Sequence, residues 1–308
     1  YEAVGRSFPP QNSKADLEAQ ETKIFDSSAY GQIISTENAP PNNLSGELLP
    51  LIGRDAETAE IMELLRQPET RLLTVTGVGG TGKTRLANII SHLCLAEFAD
   101  GVYYVALAPI DNHELVASVI AQTLGVREEA CKSLKECLLD YLREKKTLIV
   151  LDNFEQITKA APLVGELLAG APDLKILVTS RVRLNLNLER EFTLQPLEVP
   201  IDERLTANEF GKYPAVELFV KRAKAAKSDF ALTEENAASI AEICRQLDGL
   251  PLAIELAAAR VKLFTPAAIL KRLENSLNLL TGGSKDLPER RQTMRGAIAW
   301  SYDLLDAD

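Results

Sequence analysis

The residues best equipped for chemistry are Gly77-Val78-Gly79-Gly80-Thr81-Gly82-Lys83-Thr84, which fill G-x-x-x-x-G-K-[ST] at every defined position. A polyphosphate needs backbone N–H groups close to its oxygens, and glycines let the chain turn in with no Cβ in the way. A helix starting at the end of the loop adds donors and partial positive charge. Lys83 would reach the β- and γ-phosphates, and the hydroxyl of Thr84 would join the oxygen shell of a Mg²⁺ ion. The same chemistry asks for an acid to hold the cation, and Asp152 closes the apolar run Thr147-Leu148-Ile149-Val150-Leu151 in that position. Glu155, just beyond it, suits two roles: a general base that orients an attacking water, or a first-turn acid favoured by a helix dipole. Arg181 ends a second apolar run, Leu177-Val178-Thr179-Ser180. Its planar fork would bind the oxygens of a γ-phosphate bidentately, or it would serve in a surface ion pair.

These residues need a scaffold, and the spacing of apolar runs supplies one. Leu72 to Thr76 reads as a strand before the glycine loop, with helix-forming Arg85-Leu86-Ala87-Asn88-Ile89-Ile90 after it. Val102 to Leu107 and Thr147 to Asp152 read as further strands, then Lys175 to Thr179 and Glu191 to Leu194. The run ending at Asp152 is continuously apolar rather than alternating, which marks a strand buried on both faces. Helices are expected from Asp55 as cap, from Glu114 to Leu124, from the capping box Ser133–Glu136, and from Glu155 to Leu168. Strands alternating with helices predict a parallel, five-stranded α/β sheet whose ligand lies at the strand C-terminal ends, where Gly82, Asp152 and Arg181 all fall. Beyond Pro196 the pattern turns helical: Pro214 opens one helix, Thr233 caps another, and Gly249-Leu250-Pro251-Leu252 turns sharply into Ala253 to Arg260. Thr265-Pro266 begins a shorter one.

Four segments follow: a linker or arm over 1–46, punctuated by Pro9-Pro10 and Pro40-Pro41; a nucleotide-binding α/β domain over 47–196; a helical domain over 197–285; and the start of a further domain over 286–308. The chain opens at Tyr1 and stops inside a helical pattern, so it reads as a piece of a larger protein.

The composition narrows the field. At 308 residues, 46% apolar and 25% charged, the chain has material for about two globular domains. A formal charge of −10 offers no field that would draw it to nucleic acid or anionic lipid, so no direct nucleic-acid binding is expected; Arg290, Arg291 and Arg295 read as a solvated face. Four cysteines without metal spacing and two histidines argue against a zinc site and a Ser–His–Asp hydrolase and suit a cytoplasmic protein. No apolar run approaches the eighteen or so residues of a membrane span.

Taken together, GVGGTGKTRLA, LIVLDNFEQ, LVTSR, GLPLAIELAAAR and RRQTMRGAIAWSYDLL resemble, in order and spacing, the STAND class of P-loop ATPases in its NB-ARC-like branch, over residues 49 to 308. That resemblance implies ATP/ADP and Mg²⁺ as ligands. Leu51, Ile52, Gly53 and Arg54 would line the adenine side, and Gly79, Gly80, Thr81, Gly82, Lys83, Thr84 and Arg85 the phosphates. Pro251 would cover the base, Arg181 would sense the γ-phosphate, and 286–308 would begin a winged-helix domain. The resemblance further implies an ADP-bound closed form, an ATP-bound form that self-associates, slow hydrolysis, and an effector or DNA-binding domain outside these residues. Asn153 stands where many eukaryotic relatives carry a second acid, which implies a slow switch. Two other readings are a structural ADP-binding scaffold with negligible turnover and a P-loop small-molecule kinase, the latter lacking an arginine-rich lid segment.

Overall fold

A computed structural model describes residues 40–44, 51–202 and 204–273. The rest of the expected arm and the expected winged-helix start lie outside the described residues. Five parallel strands form one sheet: β1 (Leu72–Thr76), β2 (Val102–Ala106), β3 (Leu148–Asp152), β4 (Lys175–Thr179) and β5 (Glu189–Thr193), in spatial order β2-β3-β4-β1-β5. Side chains of β3 alternate between two cores. Ile149 and Leu151 join Val105, Ile176 and Val178 on one face, and Leu148 and Val150 join Leu73, Val75 and Leu177 on the other. Both faces are covered, which is why the run reads as unbroken hydrophobicity.

One face is covered by α1 (Asp55–Arg66) and α2 (Lys83–Leu93), which bury Ile61, Leu65, Leu86 and Ile90 there. The other takes α3 (Val116–Leu124), α4 (Leu134–Leu142) and α5 (Ala161–Gly170) through Ile120, Leu138, Val164 and Leu168. Beside the β2 edge, Asn43 takes the part of an extra strand: its side chain donates to the Tyr104 carbonyl at 2.8 Å and accepts from the Tyr104 N–H at 2.7 Å.

A second core is made by α6 (Ala207–Phe210), α7 (Pro214–Ala226), α8 (Glu234–Gln246), α9 (Pro251–Ala258) and α10 (Pro266–Leu273), around Phe219, Ile240, Ile243, Ile254 and Ile269. Leu51 packs against the sheet-domain core and Ile52 against the helical one, so this dipeptide straddles the two. Gly53 follows at φ +62°, and a Cβ there would stand 2.3 Å from Pro214 Cβ; the close approach of α7 requires glycine.

Several local expectations are corrected. The helix foreseen from Glu155 begins at Ala161, preceded by single 3₁₀ turns at Phe154–Gln156 and Thr158–Ala160. Pro162 is the reason: with no N–H it cannot bond a carbonyl one turn back, so it fits only the first turn. Asp55 is the first helical residue rather than the cap, and Arg54 occupies the cap position with no side-chain cap bond. The first turn of the helix expected at Glu114 is 3₁₀, His113–Leu115. The short α6 was not foreseen, although its capping box, Thr206 with Glu209, is legible as T-x-x-E.

Candidate nucleotide site

At the C-terminal edge of the sheet, β4 lies between β1 and β3, and that order decides which side chains meet. Pairing of Val75 with Thr179 and of Leu151 with Val178 sets Thr179 beside Asp152 and in front of the loop that follows β1. Asp152 is buried, and its Oδ1 accepts from Thr84 Oγ1 at 2.9 Å and from Thr179 Oγ1 at 2.5 Å. Thr179 Oγ1 in turn accepts the Asn153 N–H at 3.0 Å. Asn153 sits at φ +66°, a left-handed conformation that asparagine tolerates better than most side chains, and the chain turns there out of the strand.

The phosphate loop is folded around its own lysine. Lys83 is 8% exposed, and Nζ donates to the Gly77 carbonyl at 2.6 Å and to the Val78 carbonyl at 3.1 Å. Thr81 Oγ1 donates to the Val78 carbonyl at 3.0 Å. Gly82 enters α2 at φ +97°, and a Cβ placed on it would meet nothing within 4 Å. The backbone is bent as a phosphate cradle requires, and the space beside Gly82 is open. The donor set fits Mg²⁺–nucleotide chemistry: a hydroxyl and a carboxylate, the oxygen ligands a hard cation takes, lie side by side in Thr84 and Asp152.

Three residues expected near the nucleotide lie in contacts within the protein. Arg54 is 3% exposed, and its guanidinium donates to Glu57 at 2.5 Å, to the Gln195 carbonyl at 2.6 Å and to the Thr81 carbonyl at 3.4 Å. A buried cation must satisfy its donors, and this side chain braces the loop. Arg85 directs its guanidinium to Glu255 of α9, 2.9 Å away, rather than to the cradle. Pro251 opens α9, but the contact with the phosphate loop is made by its neighbour: the Leu252 N–H donates to the Gly80 carbonyl at 3.2 Å. Leu252 Cβ also lies 3.2 Å from where a Cβ on Gly80 would be.

Glu155 and Arg181 face each other. Arg181 Nε lies 3.3 Å from Glu155 Oε1, with side-chain exposures of 16% and 5%, so this is not a surface pair. Burial lowers the Arg181 pKa, and the Glu155 charge acts against that shift. Glu155 Oε2 is buried with no hydrogen-bond partner. Because Glu155 sits in an isolated 3₁₀ turn, no helix dipole accounts for it. Sequence reasoning missed Thr179, Leu252, Glu255 and Arg222. Of these, Glu255 had a visible signal, a lone acid inside the apolar run Leu252-Ala253-Ile254-Glu255-Leu256-Ala257.

Residues 54–191 match the family model of the NB-ARC domain. A candidate HTH-type transcriptional regulator of Mycobacterium tuberculosis is 40% identical over 238 residues, covering 77% of this chain and 25% of that protein. An uncharacterised protein of the same species is 34% identical over 275 residues, 89% of this chain and 65% of its own length. Regulatory protein AfsR of Streptomyces griseus is 33% identical over 155 residues, 47% of this chain and 16% of AfsR. The chain thus spans about a quarter of the first of these relatives. Among the described residues, no helix is long and apolar enough to cross a membrane. Over residues 54–191 this chain matches the NB-ARC domain, and it is similar to parts of bacterial regulators.

Proposed function

We propose that this chain is the ATP/ADP-binding switch of a larger regulatory protein. The observation that carries the reading is the Leu252–Gly80 bond, because it ties the phosphate loop of one domain to the first turn of a helix in the other. A loop that must keep that bond while gripping phosphates couples the position of the helical domain to what the cradle holds. A ligand shifts such an equilibrium only by its differential affinity for the two arrangements.

Bound Mg²⁺–nucleotide supplies the phosphate charge and the bond to be cleaved. Lys83 would exchange its loop carbonyls for phosphate oxygens, and Thr84 and Asp152 would hold the cation. Ile52, Gly53 and the Arg54 backbone form the entrance on the base side, with Pro251 opposite. Arg181, drawn from Glu155 toward a γ-phosphate, reports its presence, and Glu155 is then released to accept a proton from the attacking water. ATP in this scheme favours an open form that self-associates, slow hydrolysis restores the ADP form, and the output passes to an effector or DNA-binding domain outside these residues. A cytoplasmic setting suits such a regulator.

A second reading is favoured by Asn153, which replaces a second acid, and by the engagement of Glu155 with Arg181: a structural ADP-binding scaffold with negligible turnover. Single-turnover hydrolysis by a longer chain, compared with Glu155→Ala, decides between them. A background rate that ignores Glu155 supports the scaffold, and a Glu155-dependent rate supports the switch.

A further inference from the structure

The carboxylate of Glu255 is shared by two arginines from different domains. Arg85, in the first turn of α2 just after Thr84, donates to Oε1 from Nη1 at 2.9 Å. Arg222, on α7, reaches the same oxygen from Nε at 3.1 Å and Nη2 at 3.0 Å. Glu255 is on α9, so its contact with Arg222 lies within the helical domain and its contact with Arg85 crosses to the phosphate-loop helix. We propose that Arg85, Glu255 and Arg222 form a reversible charged clasp that holds the helical domain on the phosphate-loop helix and sets how fast bound nucleotide leaves; this rests on the nucleotide-switch reading above.

The asymmetry of the triad carries the argument. An acid held by a single arginine across a domain boundary would lose its partner on opening. Here Arg222 keeps two N–H groups on the oxygen when Arg85 departs, so opening leaves Glu255 paired on its own domain. The clasp is also accessible to water and salt, since the side chains of Arg85, Arg222 and Glu255 are 34%, 33% and 18% exposed. Screening keeps each ion pair modest. A weak latch with a fallback partner suits a switch better than a permanent staple. It also acts close to the Leu252–Gly80 bond, one helical turn along α9 from Leu252.

The test uses the 308-residue chain with Arg85→Gln, Glu255→Gln, the two combined, and Arg222→Gln. Each variant is read by stopped-flow release of a fluorescent ADP analogue and by the small-angle-scattering radius of gyration of nucleotide-free protein. Arg85→Gln and Glu255→Gln are expected to speed release about two- to fivefold, the scale of one partly exposed ion pair. Both are also expected to raise the radius. Their combination should be no greater than either alone, and high salt should bring the parent chain to the same values. Arg222→Gln should slow release, because it removes the partner that Glu255 falls back on. Additive effects of Arg85→Gln and Glu255→Gln, or faster release in all three single variants, would overturn the clasp. Thermal melting identifies any variant whose radius grows through unfolding, and for that variant Arg85→Lys or Glu255→Asp takes its place. If the parent chain binds no nucleotide, the switch reading fails, and the scattering comparison still decides whether the triad holds the domains together.

Discussion

Asp152 and Glu155 leave the same strand, yet their surroundings differ sharply. Around Asp152 the polar groups of Thr84, Thr179 and the Asn153 backbone interlock, each donor matched to an acceptor. Around Glu155 a buried carboxylate oxygen has no partner, and the arginine beside it has its pKa lowered by burial. A saturated network holds one geometry, whereas a half-satisfied one in a low-dielectric setting is poised to rearrange when a new charge arrives. Under the proposed function, only the Thr84–Asp152 pair is set in advance, while Lys83, held on its own loop carbonyls, and the Glu155–Arg181 half would be rearranged by the ligand.

The sharpest way to break this comparison is to remove the grip. Lys83→Ala is expected to weaken ATP and ADP binding about a hundredfold or more by calorimetry, since it deletes the buried charge of the phosphate loop. Retained micromolar affinity would sink the nucleotide reading as a whole. Glu155→Gln probes the other half and should separate binding from turnover: ADP affinity stays within about twofold, and single-turnover hydrolysis falls about a hundredfold or more, as for loss of a general base. An equal loss of affinity would mean that Glu155 belongs to the grip after all.

Thr179→Val tests whether the Asp152 network is as tight as it looks. The substitution keeps the shape but deletes the donor to Asp152 and orphans the Asn153 N–H, at a cost of about 1–3 kcal/mol in denaturant unfolding. The apparent Mg²⁺ requirement for nucleotide binding should rise with it, while Thr84 still holds the carboxylate. A neutral effect on both would show that Thr179 is a bystander.

The smallest effect concerns the cores. Burial pushes the Cys94 and Cys244 thiols up to about 12 from an ordinary 9.0. The unfolded chain therefore loses these protons near pH 9 and the folded chain only near pH 12. Stability is unaffected by them below pH 9 and falls as pH rises from there. Titration with a thiol reagent at neutral pH should label exposed Cys131 quickly and Cys94 and Cys244 only after unfolding. Fast labelling of Cys244 would mean that the helical domain opens far more readily than the phosphate-loop domain.

Much of the fold was legible because its signals are local. Continuous apolar runs gave the strands, Pro214 and Pro251 opened helices, and the Ser133–Glu136 capping box marked another. Where local reading failed, a competing local rule was at work: the helix assigned to Glu155 overlooked that Pro162 permits only a first turn, and with that helix goes the dipole explanation of the acid. The site was legible only in part. Lys83, Thr84 and Asp152 stand in patterns whose spacing is fixed by one loop and one strand end. Thr179 owes its role to β4 lying between β1 and β3, and strand order leaves no trace in linear spacing.

The amino-acid sequence by itself determined that this protein carries a phosphate-loop motif, an acid at the end of a buried strand and a doubly covered parallel sheet followed by helices, because glycine geometry and hydrophobic period act within a few residues. Only the tertiary structure decided where the long side chains went. Arg54 turned inward to brace the loop, Arg85 turned across to Glu255, and Arg181 turned to Glu155. An arginine side chain can reach partners in many directions, and its choice is set by which carboxylates and carbonyls the packing of two domains brings within hydrogen-bond distance.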